Sequence, residues 1–168
     1  GREHEEKLYQ RLNSSRIPYV NTWSFEAGLA HPSVGFDNRD AAGKMTRYLL
    51  DIGHRRFAVI AGITQNNDRA ADRLEGIRTT LGERGISISP EYIIECPYEI
   101  AAGRQAMREL LGNALPPTAV ICGNDVLAYG ALLECQASGV AVPGRVSITG
   151  FDDLPLSSHI QPPLTTMH

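Results

Sequence analysis

The sequence predicts an α/β fold built on a parallel sheet, and three observations predict it. From about residue 56 onward, four apolar β-type runs alternate with helical stretches. The helical stretches carry apolar residues three or four positions apart, the signature of helices that bury one face on a sheet. After each strand comes a loop rich in hydrogen-bonding side chains, and in a parallel sheet all such loops lie at one edge.

Taken in order, the first fifty-odd residues read as the alternation in miniature. A helix is expected over residues 3–12, a strand over 17–22, a short strand near Val34 and a helix over 40–52. Ala41, Met45, Tyr48 and Ile52 would form the buried face of that last helix. Gly53 then supplies the C′ glycine, with His54, Arg55 and Arg56 as basic residues beyond it. A lobe boundary is expected at residue 55, dividing residues 1–55 from 56–161.

The strands that follow are FAVIA (57–61), YIIEC (92–96), TAVIC (118–122) and VSITGF (146–151). Between them lie Ala70, Leu74, Ile77 and Leu81, then Ala102, Ala106 and Leu110, then Ala128, Ala131, Leu132 and Cys135. On this last helix Val126, Tyr129 and Leu133 make a second apolar stripe. One stripe serves the core, and the other needs either a neighbouring helix or a second copy of the chain.

Composition excludes several functions. The 168 residues, 42% hydrophobic, can bury one good core with room for a second small lobe. Sixteen basic against nineteen acidic side chains leave a net charge of −3, so these residues alone should not grip DNA. Three cysteines without CxxC spacing fit a reducing cytoplasm, and the five histidines never fall at metal-ligand spacing, so no metal or cofactor is assigned. No apolar run approaches a membrane span, and the charged opening GREHEEKLYQRL is no signal peptide. The chain reads as opening in the middle of a domain.

The loop edge holds the chemistry. Its residues are Gln65 to Arg73 after the first strand, Pro97 and Tyr98 after the second, Asn124 and Asp125 after the third, and Asp152 and Asp153 after the fourth. Carboxylates and Asn bond hydroxyls, Arg donates a fork and Tyr offers an apolar face, the set that a polyhydroxylated ligand calls for. Equally, Asn124 and Asp125 read as caps of the next helix, Asp152 and Asp153 as a turn before Pro155, and Arg73 as a solvated helix residue. Catalysis finds less support: Ser157, Ser158, His159 and Asp152 lack a GxSxG elbow, and there is no phosphate loop or GxGxxG fingerprint, Gly62 and Gly123 merely ending strands.

Four segments resemble the lactose-repressor (LacI/GalR) family of transcriptional regulators. They are VGFDNRDAAGKMTRYLLDIGHRRFAVIAG, RLEGIRTTL, PPTAVICGNDVLAYGALLECQASGVAVPGRVSITGFDD and PPLTTMH. The resemblance covers residues 17–168. It implies a periplasmic-binding-protein-like domain of two doubly wound parallel-sheet lobes, the first incomplete here, with a small effector between them. Residues 162–168 would be the strand crossing back, and the DNA-binding helix-turn-helix would lie outside this chain.

The resemblance also implies ligand contacts at Arg73, Tyr98, Asn124, Asp125 and Asp152, with Asp40 reaching in from the other lobe. Asn66, Asn67, Asp68 and Arg69 form the loop that sets ligand identity, Asn67 and Arg69 being its candidate contacts. The ligand implied is a sugar or sugar-like molecule, with a nucleoside or purine as the other option. A homodimer is implied through Val126, Tyr129, Leu133, His159 and Ile160, with operator DNA met only through the separate head. The alternative is an extracytoplasmic sugar-binding protein of a transporter, which would share the fold and cleft; a doubly wound hydrolase lacks a paired acid and base.

Overall fold

The computed structural model describes residues 6–25, 28 and 30–168. Helix α1 (Glu6–Ser14) precedes β1 (Asn21–Thr22) and β2 (Ser33–Val34), which pair in parallel. The expected start of α1 at residue 3 lies outside the described residues. Then come α2 (Asn38–Asp51), β3 (Phe57–Gly62), α3 (Asp68–Gly82), β4 (Ile93–Cys96), α4 (Ile100–Gly112), β5 (Ala119–Cys122), α5 (Asp125–Ala137) and β6 (Ser147–Thr149). The last four strands form one parallel sheet in the order β4-β3-β5-β6.

Strand periodicity assigns each residue of β3 and β5 to one of two cores. Phe57, Val59, Ala61, Ala119 and Ile121 pack with Leu74, Ile77 and Leu81 of α3 and with Ala42, Leu49 and Leu50 of α2. Ala58, Ile60, Val120 and Cys122 face the other way, onto Ala106, Met107 and Leu110 of α4 and Leu127, Ala128 and Ala131 of α5. The result is a doubly wound three-layer sandwich, the parallel α/β fold expected.

Helix α2 packs along α3 and shares its core. Gly76 of α3 makes this possible, since a Cβ there would collide with the Arg39 backbone. The face of α2 is rotated. Ala41 and Met45 are buried as expected, but Tyr48 and Ile52 are exposed, and Ala42, Leu49 and Leu50 take the core. Thr46, fully buried, makes that row compatible with the core by donating its hydroxyl to the Ala42 carbonyl.

Both ends of α2 follow local rules. Asp37 accepts from the Arg39 and Asp40 amides as N-cap. At the far end Gly53 takes φ +103°, its amide reaches the Leu50 carbonyl and that of His54 reaches Leu49, which is a Schellman closure. The turn aims the His54 ring at the sheet, where it bonds Thr118 Oγ1 at 3.0 Å and Ser147 Oγ at 3.1 Å.

Residues 162–168 run beside β6 through a single parallel bridge, Thr149 to Thr165, and their carbonyls receive the Gly150 and Asp152 amides. No helix among the described residues is long and apolar enough to cross a membrane.

Candidate functional site

The carboxyl ends of β3, β4, β5 and β6 bring Arg73, Tyr98, Asn124 and Asp152 to one edge, around Arg73. Arg73 is only 8% exposed. Nε donates to Asn38 Oδ1 at 2.9 Å, Nη1 to the Gly123 carbonyl at 2.6 Å, and Nη2 lies 3.6 Å from Asp152 Oδ1. The plane rests 3.6 Å above the centroid of the Phe151 ring, which stacks in turn on Phe36. Burial pulls the Arg73 pKa down, against the attraction of Asp152 and Tyr98, yet a guanidinium remains charged. The expectation of a solvated helix residue does not hold.

Asn38 is the piece the sequence reading missed. Its amide donates to the Trp23 carbonyl at 3.1 Å while its oxygen receives Arg73, so it links the β1–β2 unit to the large sheet. Asp40, the residue expected to reach across, instead holds Lys44 at 2.8 Å and Arg47 at 3.4 Å on the outer side of α2. The hydrogen bond from Lys44 holds its carboxyl below the usual range.

Asp152 and Asp153 both adopt left-handed backbone, with φ of +101° and +46°. A non-glycine residue at such angles is strained, and strain of this kind persists where the surroundings over-determine it. Here the Asp152 amide is tied to the Met167 carbonyl and the Asp153 carboxylate to His168. Burial raises the Asp152 pKa, an effect that Arg73 opposes and Asp125 adds to.

Tyr98 lies against Gly62, where a Cβ would occupy the space of the phenol ring. Gly62 therefore does more than end β3: it lets the ring lie down on the sheet edge. Gly123 likewise presents the carbonyl that Arg73 binds. Asn124 caps α5, its side-chain oxygen accepting the Leu127 amide at 3.0 Å, and Asn67 caps α3 through the Ala70 amide.

Asp125 departs most from the expected contacts. It is fully buried, and its oxygens accept from the Leu154 amide at 2.7 Å, Ser157 Oγ at 2.6 Å and Thr166 Oγ1 at 2.6 Å. That carboxylate stitches the end of β6 and the closing segment to α5. Ser157 also bonds Tyr129 Oη at 2.8 Å, so Tyr129, 6% exposed, belongs to the interior of this chain rather than to an open stripe. Leu133 and His159 stay exposed, with Val126 and Ile160 half-covered.

A family profile described as a periplasmic binding protein-like domain matches residues 46–168. The chain belongs to this family. The domain is similar to the HTH-type transcriptional repressor CytR of Escherichia coli, 39% identical over 89% of this chain and 44% of that protein. It is also similar to the repressor PurR of Salmonella paratyphi B, 36% identical over 99% of this chain and 49% of that one. Among solved structures, a LacI family transcriptional regulator from Silicibacter pomeroyi superposes with a TM-score of 0.87 at 30% identity, over 98% of this chain and 61% of its own. The domain is of the LacI-family type, and it spans about half the length of the two repressors.

Proposed function

We propose that this domain is the effector sensor of a cytoplasmic transcriptional regulator, binding a small polyhydroxylated molecule at the edge formed by Arg73, Tyr98, Asn124 and Asp152. The observation that carries the reading is the immobilised guanidinium of Arg73. Three of its contacts are spent on Asn38, Gly123 and Asp152, which fixes its plane and leaves the remaining N–H groups of the fork for a ligand's hydroxyls. Asp152 accepts from hydroxyls, Asn124 offers its side-chain amide and Tyr98 a ring face. Asn67 and Arg69 shape the near wall, while Asp125 and Asp40 act behind the site.

Effector binding then shifts the full protein between two states of different operator affinity, the DNA being held by a separate head. Pairing of two copies through Leu133, His159 and Ile160, flanked by Val126, gives the symmetric dimer that such a switch requires, with Tyr129 bracing the face from within.

The test uses the full-length protein. A sugar, nucleoside and nucleobase screen by calorimetry identifies a ligand, and Asp152→Ala and Tyr98→Ala should each weaken it; wild-type affinity in both variants ends the reading. Leu133→Asp should convert a dimer to a monomer in light scattering, and a wild-type monomer at tens of micromolar, an order-of-magnitude ceiling for stable association, would remove the dimer.

A further inference from the structure

Arg69 stands in the first turn of α3, four residues before Arg73, so the two stems rise from one face of the helix. Unlike Arg73, its side chain has no hydrogen-bond or ion-pair partner among the described residues, and its Nε is shut off from water without an acceptor. A buried guanidinium N–H in that state is costly, and in native folds such a group calls for an occupant.

The neighbouring carboxylates do not supply one. Asp152 is turned to Arg73. Asp125 is filled by Leu154, Ser157 and Thr166. Asp72 holds Arg39 at 2.9 Å, and Asp68 accepts the backbone amide of Arg69 itself. The charges of Arg69 and Arg73 repel each other, and Asp152 feels both. Asp152 faces both guanidinia but is turned to Arg73, and the amino end of α3 adds its positive potential beside Arg69.

We infer that the effector carries a negatively charged oxygen group, a carboxylate or a phosphate, on its hydroxylated frame, and that Arg69 is the residue that receives it. The inference rests on the effector-binding reading and narrows it. Asp152, the locked Arg73 fork and Tyr98 read the hydroxyls and the ring; Arg69, whose donors are unspent, can turn its fork onto an anion. A charge-assisted pair with a guanidinium fork selects an anionic group over a hydroxyl.

The experiment is calorimetry on the full-length protein with matched probes: glucose against glucuronate, ribose against ribose 5-phosphate, and a nucleoside against its 5′-monophosphate. The charged member of a pair should bind at least about tenfold tighter, an advantage that shrinks as salt rises. Arg69→Gln should abolish the advantage and Arg69→Lys restore part of it, both with unchanged melting temperature. The pair that responds assigns carboxylate or phosphate. Neutral members that bind as tightly as their charged partners, or a preference that survives in Arg69→Gln, overturn the inference. If those neutral complexes are lost in Asp152→Ala, effector binding itself stands. No binding by any probe to the wild type counts against both.

Discussion

The two ends of the same four-stranded sheet are built on opposite principles. At the amino ends of the strands, Gly53 absorbs the one left-handed residue of the turn and His54 satisfies two hydroxyls with its two ring nitrogens. At the carboxyl ends, left-handed backbone falls on Asn66, Asp152 and Asp153, a guanidinium is buried, and an N–H of Arg69 is left without a partner. The first end closes the fold with residues suited to their conformations. The second holds strain and unspent donors, which fits the binding edge proposed for it.

That contrast is sharpest between two aspartates of the binding end. Asp125→Ala should cost about 3 kcal/mol of stability, because it strands three donors, the Ser157 hydroxyl buried and the other two partly so. Urea unfolding midpoints read this directly. Asp152→Ala should lower the midpoint by less than Asp125→Ala and cost about 2–5 kcal/mol of effector binding; a reversal of the two profiles would erase the distinction.

Gly62→Ala comes next. The added methyl displaces the Tyr98 ring, the mobile end of a side chain, so stability should change by less than about 1 kcal/mol while effector affinity falls about tenfold. Unchanged affinity would show that the ring does not meet the ligand. Asp152→Gly should then stabilise the domain by roughly 1 kcal/mol, since glycine accepts φ near +101° without strain, with binding lost.

The smallest effect belongs to the other end. Burial holds the His54 pKa below its ordinary 6.5, so the unfolded chain takes up the proton first. The stability contributed by neutral His54 is complete above 6.5 and is lost as pH falls from there through the depressed value. Melting temperature should therefore drop on acidification across that window, and His54→Gln should flatten the slope; an identical slope in the variant would assign the loss to other groups.

Much of this was legible beforehand because it is written in short-range pattern. The strand runs, the helix stripes, the glycine closure at Gly53 and the polar loop edge all follow from spacing and from the conformational limits of single residues. Tyr98, Asn124 and Asp152 were expected at one edge because parallel strands place every post-strand loop there, whereas Arg73 was singled out by the family resemblance. Asn38 was not singled out, because a carboxamide beside a capping aspartate does not announce that it turns inward.

What the sequence determined by itself is therefore the set of elements and the edge where the chemistry collects, since both depend on neighbours a few positions apart. What only the tertiary structure decided is how each polar group there is spent. Asp125 and Asp152 are alike in sequence, but one meets three donors from chain segments 29 to 41 residues away and the other stands half-open beside Arg73. Likewise the place of α2 was settled by Gly76 meeting Arg39 across two helices, a contact between residues that no local pattern relates.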